Sequence, residues 1–480
     1  MRRYLLLALL GVVSSQGATL AEKLEALLDE SALSRAGLIG VHMLNAETGR
    51  VEFTSNADRF FVPASNVKLF TTALALSRLG PDYRFRTRIL VASLPGLSGR
   101  LAGSLVLEGG GDPNLSGRVL PYDVEATPAD PLTPIEELAD QIVRAGVRRI
   151  DGDIIGDDTA FAWNPYGEGW GVDDPLWEYG AAVSAISLND NTIRLSILSG
   201  DPPRVLLSPP IDYFQIDNRL RLGKPQRIRI ERDLATKQIR LTGTLPASGA
   251  GEGHILGIDD PALFAALALR DALTRRGVDV RGKALARHAL AGENPKPAET
   301  VELVVRKSAA LSDILQVVAK VSQNLHAEMM LRAVGRERRQ SGTVDAGLAE
   351  MDVFLKESGI LPVEYDLHDG SGLSRLNLVT PSAVAKLLRA MDLSPHREQW
   401  NRLLPVGGED GTLQFRYKNT TGIGRVHAKT GTLTHITALG GYLDRKDGSR
   451  LVFSILANNQ KASSSEVRAL VDKLCLAALE

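Results

Sequence analysis

Two sets of short apolar runs, one at each end of the chain, most restrict what this sequence can fold into. Near the start, Gly37 to Asn45 and Val51 to Thr54 flank a Thr48-Gly49 turn, the pattern of an antiparallel hairpin. Near the end, Val426 to Leu433, Ala438 to Leu443 and Leu451 to Leu456 read as about three strands, the last two joined by an Asp447-Gly448 turn. A two-stranded hairpin is marginal alone. The expectation is therefore one domain built from both chain ends, with the middle inserted. Helical patterns flank both sets. Thr19 to Glu30 places apolar residues at 20, 24, 27 and 28, a helix begins within Pro63 to Phe70, and Ser463 to Leu479 closes the chain. The class is α/β (α+β), an antiparallel sheet between helices.

The expected segments are 19–85 with 300–480 for the discontinuous domain, 86–190 with 258–299 for a second domain, and 191–257 for a small β domain. Leu101 to Glu108 reads as a strand ending in Gly109-Gly110-Gly111-Asp112-Pro113. No Lys-Ser/Thr follows and Pro113 interrupts any helix, so this is a tight turn rather than a phosphate loop. Ile135 to Ala145 is helical, Ile150 to Asp158 is a strand with acidic ends, and the loop 162–180 holds Trp163, Trp170 and Trp177. Alternating runs between 191 and 244 suggest short strands, and Pro261 to Arg276 restores a helix. Leu311 to Val334 reads as one long helix, and Pro381 to Met391 as another, capped by Thr380.

With 480 residues there is room for two to four domains, and a net charge of −1 argues against a strongly basic nucleic-acid surface. The chain starts Met1-Arg2-Arg3, continues apolar from Tyr4 to Val13, and then turns to small residues. This is the pattern of a signal peptide over residues 1–18, with cleavage near 15–18. No cysteine ends the apolar run, so a lipid anchor is not expected. Cys475 is the only cysteine, which excludes an intramolecular disulfide and any thiolate metal site. Export without disulfides fits a bacterial periplasm or extracytoplasmic envelope.

Ser65 and Lys68 are three positions apart on a predicted helix, so both side chains share one face. The hydroxyl could become a nucleophile if the amine is neutral part of the time. This pattern is weak alone. Ser322-Gln323-Asn324 and Lys429-Thr430-Gly431-Thr432 follow it in order; Ser187-Leu188-Asn189 repeats the second pattern and is read as structural. Together with Gly109-x-Gly111-Asp112-Pro113, Gly152-Asp153, Asp369-Gly-Ser-Gly-Leu-Ser-Arg375 and Leu404-Pro-Val-Gly-Gly-x-Asp-Gly-Thr-Leu413, the chain resembles the class C low-molecular-mass penicillin-binding proteins. These are D-alanyl-D-alanine carboxypeptidase/endopeptidases. The resemblance runs from about residue 20 to the C-terminus. The 254 positions between Lys68 and Ser322 are a trait of that family, whose insert forms two extra domains.

The resemblance implies a penicillin-binding-protein/β-lactamase-like transpeptidase domain and a role for each motif. Ser65 forms an acyl-enzyme with Lys68 as its base. Ser322 relays a proton to the leaving amine, and Asn324 holds the substrate amide. Lys429, Thr430, Gly431 and Thr432 grip a terminal carboxylate, and the backbone N–H groups of Ser65 and Thr432 form an oxyanion hole. Arg375 resembles the family arginine lining the cleft, with a surface ion pair as the alternative. Asp157 resembles an acid that meets the free amine of a diamino-acid stem, with Asp158 an equal contender. Thr434 stands where the family often has Gln, and Gln323 where Asp is common. His427 is not needed by this chemistry, and the tryptophans are read as packing or as the lining of a ligand groove. Expected partners are peptidoglycan stem peptides and β-lactam antibiotics, with no metal or cofactor. Loose membrane association and oligomeric state are left open. A β-lactamase is the nearest rival, but no Glu-x-x-Leu-Asn element is present in the insert; a non-catalytic peptidoglycan-binding protein is a further alternative.

Overall fold

The computed structural model describes residues 19–233, 236–249, 251–293 and 299–480, so the expected leader 1–18 lies outside the described residues. One antiparallel sheet joins the two chain ends. Its order is Val426–Leu433, Ile436–Asp444, Arg450–Asn458, Leu38–Asn45 and Val51–Ser55. The seam is continuous, from Leu38 opposite Asn458 to Asn45 opposite Leu451. Side-chain alternation gives this sheet two buried faces. Val452 and Leu456 point into a core shared with Leu69, Met329 and Val384, which belong to the helices Val67–Leu79, Asn324–Arg339 and Pro381–Asp392. Leu451, Phe453 and Ile455 point the other way, against Leu24 and Leu28 of Leu20–Glu30 and Val467 and Leu470 of Ser464–Ala478. Both of these outer helices start with a reciprocal capping box, on Thr19 and on Ser463.

The same alternation orients the late lysine. Val426 and Ala428 lie in the outer core, so Lys429 turns to the opposite face, toward the helix that follows Ser65.

The insert carries its own five-stranded sheet, ordered Ala284–Arg287, Ile154–Asp157, Leu105–Glu108, Arg86–Val91 and Val301–Lys307. Val301–Lys307 pairs antiparallel with Arg86–Val91, so the return to the first domain comes after Lys307, not at residue 300 as expected. Within 191–257 there are two three-stranded sheets, one built on Gln238–Leu245 and one on Thr192–Leu198. The Gly-rich turn is structural: a Cβ at Gly110 would lie 2.1 Å from the Arg86 carbonyl oxygen.

The long helix expected over Leu311 to Val334 is broken. It runs as Leu311–Gln316, loosens into a π-helical turn at Val317–Val321, reverses at Ser322 (φ +65°), and restarts at Asn324. Among the described residues no helix is long and apolar enough to cross a membrane.

Candidate active site

The nucleophile turn is held from two sides. Ala64 to Asn66 form one 3-10 turn before the helix Val67–Leu79, and Ala64 adopts φ +48°, a conformation that costs an L residue about 1–3 kcal/mol and persists only where its surroundings impose it. They do. A Cβ at Gly372 would lie 1.9 Å from the Ala64 carbonyl oxygen, and one at Gly431 would lie 2.8 Å from Pro63 O and 3.1 Å from Ser65 N. Two glycines thus let a loop and a strand close on the turn. The buried Asn66 side chain donates to Lys429 O at 3.0 Å, tying helix to strand.

Lys68 is buried. Its Nζ lies 3.0 Å from Ser65 Oγ, 2.6 Å from Asn324 Oδ1 and 2.6 Å from Ser371 O. The last two are pure acceptors, so a neutral amine gives both of its N–H groups to them. Its lone pair is then left to accept the Ser65 hydroxyl proton. Burial brings the Lys68 ammonium down from 10.5 to about 7, against the opposing pull of Asp369 and Glu328. Desolvation, more than a second cation, makes this amine available as a base near neutral pH.

Lys429 is likewise buried. It donates to Ser322 Oγ and to Thr430 O, each at 2.8 Å, and burial first, then the charge of Lys68, holds it well below the usual lysine range. Ser322 owes its position to the π-helical turn. Lys320, two residues earlier, ion-pairs with Asp410 and donates to Leu404 O at 2.9 Å. The other Asp410 oxygen accepts from Val406 N at 2.9 Å. On the same loop, Thr412 Oγ1 accepts from Thr430 Oγ1 at 2.8 Å.

A supporting layer lies beneath, and the sequence reading missed it. Glu328 Oε1 accepts from the backbone N–H groups of Gly370 and Ser371, both at 2.9 Å, while its Oε2 pairs with Arg332 at 3.0 Å. Asp369 accepts from Gly372 N at 2.8 Å, Ser374 N at 2.7 Å, Asn377 Nδ2 at 2.7 Å and Trp170 Nε1 at 3.1 Å. This fixes the carbonyl of Ser371 that orients Lys68. The signal was present: Asp-Gly-Ser-Gly is turn chemistry in which an aspartate bonds its own downstream backbone.

The insert also reaches the site. Asn324 Nδ2 donates to Tyr179 O at 2.8 Å, which leaves Oδ1 facing Lys68. Gln323 Nε2 donates to Asp190 Oδ2 at 3.1 Å, and its Oε1 caps Leu325 N at 2.9 Å.

Six expected residues therefore converge: Ser65, Lys68, Ser322, Asn324, Lys429 and Thr430, with Gly431 packed on the Ser65 turn. Thr432 is exposed on the same strand, the last of the sheet, whose outer edge is covered by Pro405 to Gly407 only as far as Ala428. Arg375 is exposed, with its backbone N bonded to Gly169 O at 3.4 Å, and its charge acts on Asp174. Asp157 and Asp158 are not drawn into the cluster. Asp157 pairs with Arg287 at 3.0 Å and accepts from Thr159 Oγ1 at 2.7 Å; Asp158 is bound by His288 at 2.8 Å and Ser184 at 2.8 Å. His427 forms an ion pair with Asp444 at 3.1 Å, and Ser187 donates to Pro113 O at 3.2 Å. Among the described residues no group of His, Cys, Asp and Glu could hold a metal ion.

A hydroxyl activated by a desolvated lysine, beside an open strand edge, supports acyl transfer without histidine or metal. With this sheet and these helices it defines a serine-type D-alanyl-D-alanine peptidase of the penicillin-binding class. The chain belongs to the D-Ala-D-Ala carboxypeptidase 3 (S13) family, whose model matches residues 20–477. It is 34% identical over 456 residues to the D-alanyl-D-alanine carboxypeptidase of Actinomadura sp. (strain R39), covering 92% of this chain and 81% of that protein. It is 23% identical over 438 residues to D-alanyl-D-alanine carboxypeptidase DacB of Haemophilus influenzae, covering 89% and 87%. The fold matches crystalline penicillin binding protein 4 of Haemophilus influenzae with a TM-score of 0.80 at 22% identity, over 94% of this chain and 97% of that one. A second structure of that protein, complexed with a β-lactam, matches at a TM-score of 0.77 and 21% identity over the same shares.

Proposed function

We propose that the protein cleaves D-Ala-D-Ala stems, and D-Ala cross-links to a diamino acid, in peptidoglycan through an acyl-enzyme on Ser65. One observation carries this reading: Lys68 Nζ lies 3.0 Å from Ser65 Oγ with its other two bonds committed to acceptors. The substrate pairs along the edge of Val426–Leu433 beyond Ala428, which Pro405 to Gly407 leave free, as peptides add to exposed strands elsewhere. Lys68 takes the Ser65 proton as Oγ attacks the carbonyl of the penultimate D-Ala. The backbone N–H groups of Ser65 and Thr432 receive the developing oxyanion. Ser322, bonded to Lys429, passes a proton to the departing amine, and Asn324 holds the substrate amide. Lys429, Thr430, Gly431 and Thr432 meet the terminal carboxylate. Water then enters and hydrolyses the ester, returning the proton to Ser65. A β-lactam enters by the same attack and remains bound as an acyl group. Export to the bacterial envelope, suggested by residues 1–18, puts the enzyme beside its polymer.

Purified enzyme incubated with a D-Ala-D-Ala pentapeptide is expected to release free D-alanine, and with cross-linked sacculi to release uncrosslinked stems. Failure on both substrates removes this reading.

Charge supports a choice of residue for recognising a cationic stem. Asp157, the family-like acid, could take a substrate amine only by giving up Arg287. Asp174 is half-buried and its neighbour Tyr179 accepts from Asn324; burial raises its carboxyl, and the nearby Arg375 opposes that rise. Among the described residues it has no cation within ion-pairing distance. Asp174→Asn is expected to raise KM for a stem bearing a free amine by about tenfold, one hydrogen-bonded charge, while sparing a neutral stem. Selective loss on Asp157→Asn instead would return the role to Asp157.

A further inference from the structure

A sizeable cavity lies apart from the Ser65, Lys68 and Lys429 cluster. It holds about 860 Å³ and lies where the tryptophan loop of the insert meets the strand Arg227–Arg232 of the small β segment. This volume is within the range of small-molecule sites. Trp163, Tyr166, Trp170, Arg229, Arg232 and Asp259 are among its walls. His288 stacks on Trp163 at 3.8 Å and 24° without lining the cavity, which fixes that ring and leaves its other side for a guest. Tyr166 and Trp170 stand 6.5 Å apart at 56°. Arg232 is set in place by Gly257 O and Pro175 O, each at 2.8 Å.

From these features we infer that the cavity binds the amino-sugar backbone of the glycan to which stem peptides are attached. A pyranose ring presents apolar C–H faces and polar edges. Aromatic planes take the faces, and the flat guanidinium and carboxylate groups take the edges. Charge disfavours an anionic guest, because Arg229 and Arg232 share the wall with four carboxylates, Asp173, Glu231, Asp233 and Asp259, and the mixed set offers both donors and acceptors to the edges of a sugar. The cavity shares one residue with the supports of the catalytic machinery. Trp170 is both a wall and the donor to Asp369, the residue that fixes the loop whose Ser371 carbonyl holds Lys68. The inference rests on the peptidoglycan reading and adds to it the polymer, as distinct from the stem.

The test compares Arg229→Ala and Trp163→Ala with the unaltered full-length enzyme. Arg229 is largely exposed, so its variant is expected to fold even if the other does not. On stems still attached to glycan, kcat/KM is expected to fall about tenfold in each variant, while free pentapeptide turnover and penicillin acylation stay unchanged. A peptide-free oligosaccharide of N-acetylated amino sugars should change the tryptophan fluorescence of the unaltered enzyme and not that of Trp163→Ala. A kcat/KM on glycan-linked stems unchanged from that of the unaltered enzyme in both variants, or no saccharide binding by the unaltered enzyme, would overturn the assignment. Absence of free-pentapeptide turnover by the unaltered enzyme would instead refute the proposed activity.

Discussion

Ser65→Ala is expected to abolish covalent labelling by a fluorescent penicillin and to lower D-alanine release by about 10⁴-fold or more, as loss of a nucleophile does in other serine peptidases. The expectation comes from geometry, because among the described residues no other hydroxyl is within bonding reach of Lys68 Nζ. Ser322, the nearest alternative in the cluster, belongs to Lys429 instead. The substitution should leave folding intact, since the turn is fixed by Gly372, Gly431 and Asn66 and loses only one partly exposed hydrogen bond, worth about 1 kcal/mol. Thermal unfolding close to that of the unaltered enzyme, together with absent label, is the expected pair of results. A persistent label would move the nucleophile elsewhere.

The second large effect concerns protons. With Lys68 near 7, the acylation rate should rise with pH through about that value, because only the neutral amine can accept the Ser65 proton. Lys68→Met should lower the rate by ~10²–10⁴ and remove that limb of the profile. The same shift has a consequence for stability. Between about 7 and the ordinary 10.5, the unfolded chain holds a proton on Lys68 that the folded chain has lost. Unfolding there takes up a proton, so stability rises with pH across that window, and below it the full cost of burying an ammonium is present. Lys429, also depressed, adds to the slope. Lys68→Met should flatten the rise in thermal midpoint between pH 7 and 9 without eliminating it. An unchanged slope and a retained rate limb would assign the depressed proton affinity to another group.

Much of the fold was readable because the period-2 runs and their Gly turns at both chain ends had only one way to bury two faces. The Ser65–Lys68 pair was readable for a similar reason, as helical spacing alone puts both on one side. The interruption at Ser322 was not readable. Val317 to Gln323 contains neither glycine nor proline, and the turn is imposed by Asp410, 90 positions from Lys320. Backbone partners were equally hidden: the Ser371 and Tyr179 carbonyls orient Lys68 and Asn324, yet any residue supplies a carbonyl. Asp157 and Asp158 could not be separated in the sequence, and each proves to have a basic partner of its own. The boundary at residue 300 slipped because alternation in Val301–Lys307 announces a strand without naming the sheet it joins.

The grip of the insert on Ser322-Gln323-Asn324 changes what could be trimmed from this enzyme. A miniature made by splicing the two chain ends together would keep its serine and both lysines, but would lose Tyr179 and Asp190. The Asn324 amide could then rotate, and Lys68 would face either end of it. Retention of such a long insertion is thereby linked to turnover itself, since excising it would disorder the reaction centre as well as shorten the molecule.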